Sequence, residues 1–325
     1  IIENHELEDE DGIIFDFKKY IDRLKEYYKN FEFIVNNDSE DYVYWFSVTP
    51  NKNNIKLFAT PFDVSEDLKE NLLSKLNKMV FTSATLAVEG KFDYFMKSMG
   101  FDKNDKQLSK YLISSPFDYM NQMRVFIPSD TIDPNSIDFI AETEVFIDKL
   151  IRKTKGHCFL LFTSYSMLNY LYNKLEKYYN KKDYTLLKQG DYSRNEMIEI
   201  FRNAKNPILF GTDSFWEGVD VQGEQLKSVI IVKLPFKVPD DPVTEAIIEH
   251  IRENKGNPFN EFQVPQAVIK FKQGIGRLIR SKSDTGIITI LDNRVITKYY
   301  GRKFLNSLPK TNIIVDSKEN IIEII

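Results

Sequence analysis

The octapeptide Gln273-Gly-Ile-Gly-Arg-Leu-Ile-Arg280 combines a side-chain amide with two guanidinium groups. On a helix, the i+4 and i+3 spacings of these three polar residues place them on one side. Guanidinium forks bind phosphate oxygens in pairs, and the bare backbone of Gly274 and Gly276 allows a close approach. Each glycine costs a helix interior about 1 kcal/mol relative to alanine. The pattern indicates a polyphosphate site; a surface helix with solvated arginines is the alternative.

A second group of polar residues is Gly211-Thr-Asp-Ser-Phe-Trp-Glu-Gly-Val-Asp220, which follows a short apolar run. Its carboxylates Asp213, Glu217 and Asp220 have spacings that gather side chains on one turn of helix. Two interpretations stay open: a divalent-metal cluster, or carboxylates that accept hydrogen bonds from a ribose or a basic partner loop. Gly218 interrupts the helix, which favours a contact loop over a rigid metal face.

Hydroxyl groups mark two further stretches, Ser83-Ala-Thr85 and Thr163-Ser-Tyr165. Hydroxyls and free backbone N–H groups at the start of a helix suit a phosphate, and the Tyr165 ring is able to stack on a base. The competing interpretation of Thr163–Tyr165 is a helix cap and its neighbours.

These stretches need elements that position them, and from about residue 123 continuous apolar runs alternate with amphipathic helices. The predicted strands are Met123–Ile127, Cys158–Phe162, Tyr184–Leu187, Pro207–Phe210, Ser228–Val232, Gly286–Leu291 and Asn312–Val315. The predicted helices are Ile137–Lys153, Ser166–Tyr179, Arg194–Arg202, Pro242–Glu253, Val264–Arg280 and Thr297–Leu305. This alternation predicts an open α/β fold with a parallel sheet sandwiched by helices. Ligands bind at the carboxyl ends of such strands, where all the stretches above are expected to lie.

The first 82 residues have a different pattern. They predict a helix over 15–28, a β-hairpin of strands 42–48 and 55–59, a helix over 64–76 and a strand over 78–82. A helix that stops at Gly100 follows. The composition shift near residue 80 is the best domain boundary.

Bulk composition excludes several classes of protein. The chain has 325 residues and a formal net charge of −4, so nucleic acid would need a local basic groove. The single cysteine, Cys158, excludes a disulfide framework and a multi-thiolate cluster within this chain. No apolar stretch reaches the ~20 residues that span a bilayer. We therefore expect a cytoplasmic protein without a membrane partner. The first residue, Ile1, suggests a fragment or a processed product.

Four motifs together resemble a known family: Thr82-Ser-Ala-Thr-Leu86, Leu161-Phe-Thr-Ser-Tyr165, Ser214-Phe-Trp-Glu-Gly-Val-Asp220 and Gln273–Arg280. They resemble helicase motifs III, IV, V and VI of the DinG/XPD-like superfamily 2 DNA helicases, and the bacterial DinG branch most closely. The family has two RecA-like domains that clamp ATP and contact single-stranded DNA. No Gly-x-x-x-x-Gly-Lys-[Ser/Thr] loop occurs in the chain. The resemblance therefore implies a second RecA-like motor domain over residues 83–325, preceded by a remnant of the first domain or its arch over 1–82.

The resemblance also implies roles for individual residues. Arg277 and Arg280 become candidate arginine fingers, and Gln273 a contact of the γ-phosphate or its attacking water. Three groups of residues share the remaining roles. Glu217, Gly218, Asp220 and Gly276 would lie at the ATP cleft; Ser164, Tyr165, Thr212, Asp213 and Trp216 would contact or couple to DNA; Ser83 and Thr85 would link the ATP state to domain movement.

Cofactors and partners follow from the same resemblance. ATP with Mg²⁺ would be held mainly by the first RecA-like domain of the same protein, single-stranded DNA would be the second partner, and an iron–sulfur cluster is not expected in this part of the chain. Two other functions stay open. One is a nuclease, through a fused 3′–5′ exonuclease domain or a metal on Asp213, Glu217 and Asp220. The other is a nucleotide-independent module that binds single-stranded DNA.

Overall fold

The structure, a computed structural model, describes residues 13–49, 54–102, 107–179, 183–217, 221 and 225–325. The chain forms two compact units. One comprises Ile1–Asp67 and Pro239–Gly256, and the other comprises Leu68–Val238 and Asn257–Ile325. The predicted division near residue 82 into portions of two motor domains stays a prediction.

Helices and strands alternate along most of the described chain. In order they are α1 (Ile13–Asn36), β1 (Tyr42–Thr49), β2 (Asn54–Pro61), α2 (Ser65–Asn71), α3 (Asp93–Ser98), α4 (Tyr119–Gln122), β3 (Met123–Pro128), α5 (Phe139–Lys153), β4 (Cys158–Leu161), α6 (Tyr165–Tyr179), β5 (Thr185–Lys188), α7 (Arg194–Asn203), β6 (Pro207–Gly211), α8 (Asp213–Trp216), β7 (Ser228–Ile231), α9 (Pro242–Glu253), α10 (Val264–Ile275), β8 (Gly286–Ile290), α11 (Arg294–Thr297), α12 (Gly301–Ser307), β9 (Asn312–Asp316) and α13 (Lys318–Ile324). A 3₁₀ turn at Leu73–Lys75 and a π-helical turn at Phe259–Gln263 complete the set.

The smaller unit contains α1, the β1–β2 hairpin and α9. The predicted hairpin is confirmed: β1 and β2 pair antiparallel from Tyr42↔Pro61 to Thr49↔Asn54. The rings of Trp45 and Phe58 stack across the pair with centroids 3.9 Å apart. Most of the predicted connecting loop, residues 50–53, lies outside the described residues.

The larger unit is built on one seven-stranded sheet with the order β5-β6-β4-β7-β8-β3-β9, and every pair in it is parallel. All seven predicted strands are confirmed, with ends that differ by one residue. The runs were continuous in apolar residues because both faces of the central strands are buried. The predicted RecA-like architecture, a parallel sheet sandwiched by helices, is therefore correct.

Apolar cores fill both faces of this sheet. In β4, Phe159 and Leu161 pack toward α7, α8 and α10, whereas Cys158 and Leu160 pack toward α5 and α6. Successive strand residues point to opposite faces, which accounts for this division. Burial raises the pKa of the Cys158 thiol well above its usual range. A buried thiol of this kind is typical of an inert core cysteine.

The predicted strand at Lys78–Thr82 is wrong, because these residues have irregular backbone and Val80 is 87% exposed. An apolar run becomes a strand only where a neighbouring strand supplies hydrogen-bond partners. In the described ranges, the edge strands of the seven-stranded sheet are β5 and β9, and residues 78–82 join neither sheet.

The predicted helix Val264–Arg280 is too long, because α10 ends at Ile275 with Gly276 as its C-cap. Glycine commonly ends helices. Asp284 stabilises the non-helical backbone that follows. Its Oδ2 accepts hydrogen bonds from the backbone N–H groups of Arg280 and Ser281, at 2.7 and 2.8 Å. The last four residues of the octapeptide are therefore a loop, in which Leu278 and Ile279 are buried. Leu278 lies against Gly286, the first residue of β8, so this end of the octapeptide is near the amino edge of the sheet and not at the predicted carboxyl edge.

Three other helix predictions change in detail. The pattern at 64–76 divides into α2 and a 3₁₀ turn, the predicted helix at 297–305 becomes α11 and α12, and α1 continues to Asn36. No helix in the described ranges combines the length and apolar content that a membrane crossing requires.

Candidate functional site

The candidate site lies at the carboxyl edge of three adjacent strands. Tyr165 follows β4, Gln189 follows β5 and Thr212 follows β6, and these strands are neighbours in the order β5-β6-β4. Parallel strands present their carboxyl ends at one edge, so the three following loops meet there.

The side-chain amide of Gln189 joins these loops. Its Oε1 accepts hydrogen bonds from the backbone N–H of Thr212 at 2.6 Å and from the Thr212 hydroxyl at 3.0 Å. Its Nε2 donates to the Tyr165 hydroxyl at 2.7 Å and to Ser214 Oγ at 3.1 Å. From the sequence, Gln189 carried little weight. Its position just after a predicted strand was the available signal.

The start of α6 presents the residues expected at DNA. Ser164 Oγ accepts a hydrogen bond from the backbone N–H of Met167 at 3.4 Å, as a helix cap does. Tyr165 is 53% exposed, with its ring accessible beside that cap. The cap and the exposed aromatic ring coexist, so the two interpretations of this stretch are compatible.

The loop after β6 forms the one-turn helix α8 and contains Trp216, whose side chain is 0% exposed. Its indole Nε1 donates to the carbonyl of Phe162 at 3.1 Å. In this conformation the ring has no free surface for DNA, and its geometry is that of a positioning residue. Of the predicted site residues that follow Trp216, Glu217 is exposed. Gly218 and Asp220 lie outside the described residues.

The carboxylates of this loop have separate surroundings. Asp213 forms an ion pair with Lys270 of α10, with Oδ1 and Nζ 2.5 Å apart. The backbone carbonyl of Glu217 accepts a hydrogen bond from the Arg194 guanidinium. Within the described ranges, no group of three or more His, Cys, Asp and Glu residues gathers in a way that would hold a metal ion.

Helix α10 packs on this loop through Gly274. A Cβ at this position would lie 2.6 Å from Trp216 Cε3 and 3.1 Å from Leu161 Cδ1. The close approach inferred for this glycine is therefore to the indole ring. Gly276 differs, because it is exposed at the end of the helix.

The polar residues of the octapeptide occupy two environments. The Arg277 side chain is turned inward, 9% exposed, and its Nε and Nη2 donate to the Trp216 carbonyl at 3.3 and 3.1 Å. Arg280 is half-buried beyond the helix end. Gln273 Oε1 is buried and accepts no hydrogen bond within the described residues. An amide oxygen in that state is available to an incoming donor, such as a water molecule.

The segment expected to couple the site to domain movement contacts α10 one residue before Gln273. Lys272 Nζ donates to the Ala87 carbonyl at 2.9 Å, and burial lowers the pKa of the Lys272 ammonium. Ser83 Oγ accepts a hydrogen bond from the Thr85 backbone N–H at 3.2 Å. Lys272, directly before the octapeptide, therefore joins α10 to this segment.

A buried ion pair stabilises the loops at the carboxyl ends of β7 and β8. The sequence analysis did not predict it. Asp292, after β8, pairs with Arg294 through Oδ2 and Nη2, 2.6 Å apart, and has a fully buried side chain. Asp292 Oδ2 also accepts the backbone N–H of Leu234 at 2.8 Å, which anchors the proline-rich loop after β7. The only sign of this pair in the sequence is Asp292-Asn-Arg294, an acid and a base that directly follow a predicted strand.

Comparison with known proteins places this arrangement in a class. A family model described as the helicase C-terminal domain matches residues 147–311. The chain belongs to this family, among the DinG/XPD-like DNA helicases.

Particular relatives extend the match. The chain is 38% identical over 272 residues to the ATP-dependent DNA helicase YoaA of Haemophilus influenzae, covering 83% of this chain and 41% of that protein. It is 34% identical over 305 residues to the 3'-5' exonuclease DinG of Bacillus subtilis, covering 92% and 32%. A solved XPD helicase shares the fold, with a TM-score of 0.58 at 17% identity over 85% of this chain and 48% of that one. The chain thus spans less than half the length of these proteins.

Proposed function

We propose that this chain is the second RecA-like motor domain of an ATP-dependent, DinG-like DNA helicase. In this proposal it contributes Gln273, Arg277 and Arg280 to an ATP molecule that a first motor domain of the same protein holds. It also contacts single-stranded DNA at the carboxyl edge of β4, β5 and β6. The observation that carries the proposal is the direct contact between the two motifs: Arg277 of the octapeptide donates twice to the backbone carbonyl of Trp216.

The contact supports a division of labour between the two arginines. Arg277 is committed to the Trp216 carbonyl, so we assign it the role of holding the octapeptide against the α8 loop. Arg280 lies beyond the helix end with a half-buried side chain, and we assign it the phosphate contact. An arginine that stabilises the charge of a transferring phosphoryl group accelerates the reaction by about 10³–10⁵.

The residues present fit the phosphate end of ATP. Gln273 offers a buried amide oxygen that accepts no hydrogen bond from the part of the chain that the structure describes, which suits the water that attacks the phosphorus. Gly276 leaves exposed backbone beside it. Bound Mg²⁺ would neutralise phosphate charge, and we assign its ligands to the first motor domain. Glu217, Gly218 and Asp220 are proposed to face the nucleotide.

The residues proposed to contact DNA are Ser164, Tyr165, Thr212 and Asp213, with Trp216 behind them. Ser164 and Tyr165 open a 15-residue helix, and such a helix start attracts phosphate. The exposed Tyr165 ring adds a surface on which a base stacks. Ser83 and Thr85 are proposed to transmit the ATP state through the contact of Lys272 with Ala87.

The nuclease alternative has weaker support in this chain. A relative is named a 3'-5' exonuclease, but this chain covers 32% of it. Asp213 is already paired with Lys270, which leaves fewer carboxylate oxygens for a metal. A nuclease activity in this family member would then belong to another part of the protein.

The first test uses this chain alone, with a fluorescein-labelled oligothymidylate. We expect binding in fluorescence anisotropy that weakens as salt rises, and no ATP turnover, because the chain has no phosphate loop. ATP turnover that is abolished by Arg280→Ala would contradict the assignment of the phosphate loop to another domain. Degradation of the DNA in Mn²⁺ would favour the nuclease alternative. In the full-length protein, a DNA affinity that falls with salt but does not respond to nucleotide would favour a nucleotide-independent binding module.

A further inference from the structure

The amide of Gln189 has an orientation that the chemistry of its partners determines. The backbone N–H of Thr212 is only a donor, so the atom 2.6 Å from it must be the amide oxygen. The amide NH₂ then faces the other way, toward the hydroxyl oxygens of Tyr165 and Ser214 at 2.7 and 3.1 Å. Both ends of the side chain are occupied.

This orientation sets the direction of two hydroxyl protons. A hydroxyl group has one hydrogen to donate and two lone pairs to accept with. Because the oxygens of Tyr165 and Ser214 accept hydrogen bonds from Gln189, their own hydrogens must be donated elsewhere. Both residues are exposed. Their hydroxyl hydrogens are therefore presented to whatever occupies the edge of the sheet.

The two donors face one small region, since both oxygens lie within hydrogen-bond distance of one nitrogen. The region adjoins the start of α6, whose backbone N–H groups favour an anion. Two hydroxyl donors beside a helix start suit a phosphodiester oxygen.

We infer that Gln189 is a positioning residue for nucleic acid: its amide orients the Tyr165 and Ser214 hydroxyls as donors to a backbone phosphate of single-stranded DNA. This inference rests on the proposed function. Gln189 also connects the loops after β4, β5 and β6. Through its amide, DNA bound at Tyr165 and Ser214 would be coupled to the backbone of Thr212.

The test replaces the amide by a carboxylate, Gln189→Glu, in this chain. A carboxylate still accepts from Thr212, so the loop keeps its shape. Its second oxygen accepts hydrogen bonds where the amide donated. The Tyr165 and Ser214 hydroxyls then donate inward, and we expect affinity for a labelled oligothymidylate to fall about tenfold. Asn203→Asp is the control, because it makes the same charge change on an exposed residue of α7 and should leave the affinity unchanged.

A double-mutant cycle separates orientation from simple charge repulsion. Tyr165→Phe should weaken binding in the wild-type chain and have no further effect beside Gln189→Glu, because the hydroxyl is already turned inward. Equal effects of Tyr165→Phe in both backgrounds would overturn the inference while leaving the proposed DNA contact intact. If the wild-type chain binds no DNA, the proposed function fails at this surface, and the inference with it.

A second pair of variants applies if circular dichroism shows that Gln189→Glu does not fold. Tyr165→Phe and Ser214→Ala, each with Gln189 intact, should both weaken binding. Unchanged affinity in both variants would contradict the inference.

Discussion

Arg277 and Arg280 are three residues apart, yet they have different surroundings. The Arg277 guanidinium is buried and bound to the Trp216 carbonyl. Arg280 follows the end of α10, where Asp284 accepts its backbone N–H at 2.7 Å. The same residue type therefore serves two purposes in one octapeptide: one arginine holds two motifs together, and the other is proposed to meet the phosphate.

The contact of Arg277 with the Trp216 carbonyl should contribute to the stability of the fold. Arg277→Ala removes two charge-assisted hydrogen bonds from a buried carbonyl, so we expect the free energy of unfolding to fall by about 1.5–3 kcal/mol. Urea unfolding of this chain, followed by circular dichroism, measures the change. The control is Arg302→Ala on an exposed position of α12, for which we expect a change within about 0.5 kcal/mol. Equal stability of the two variants would show that the Trp216 contact contributes little.

Part of the candidate site at Gln273–Arg280 could be predicted from the sequence. The residue types and spacings in Gln273–Arg280 indicated a phosphate site, and the same helix pattern indicated that Arg277 and Arg280 share one face. The helix ends at Gly276, however, and Asp284 stabilises the chain beyond it. A helix end that depends on a side chain in the following loop cannot be read from periodicity. The Gln189 contacts also needed the sheet order, which the sequence does not contain.

At the level of elements, α10 and α8 are fitted to each other through Gly274 and Trp216. The strands were predictable because the sheet is covered on both faces, which leaves continuous apolar runs between helices. Residues 78–82 have the same kind of run and do not form a strand, since hydrogen-bond partners are also required. A continuous apolar run therefore predicts that a segment is buried, but it does not show whether a neighbouring strand is present to pair with it.

At Gly274, helix propensity and packing have opposite signs. In a helix interior, alanine is favoured over glycine by about 1 kcal/mol. At Gly274 an added Cβ would lie 2.6 Å from the Trp216 ring, so we expect Gly274→Ala to destabilise the chain by about 1–3 kcal/mol. Urea unfolding decides which of the two effects dominates. A rise in the free energy of unfolding of Gly274→Ala would contradict the tight contact with Trp216.

Gly276→Ala provides the matched control for that experiment. Gly276 has a φ of −62° and is exposed, and the nearest atom to its added Cβ is the Lys272 carbonyl oxygen at 3.2 Å. We expect a change in unfolding free energy within about 1 kcal/mol. A loss as large as that of Gly274→Ala would mean that any side chain in this segment is disruptive.

For the whole molecule, the proposed function makes this arrangement half of an active site. The larger unit packs the octapeptide against the α8 loop, and the loops proposed to contact DNA lie at the carboxyl edge of β4, β5 and β6. It has no phosphate loop in its sequence. The proposal therefore requires a first motor domain of the same protein, which binds ATP and is approached by Arg280 in the catalytic state.

The most direct test of this account is the single-stranded-DNA-stimulated ATPase rate of the full-length protein that contains this chain. Arg280 is the residue to change, because it is assigned the phosphate contact, whereas the Arg277 side chain is assigned to the Trp216 carbonyl. Arg280→Ala should lower kcat by about 10³-fold, while the Kd for single-stranded DNA changes little and Arg302→Ala retains the wild-type rate. An unchanged kcat in Arg280→Ala, with the DNA affinity intact, would contradict the claim that this domain completes the ATP site.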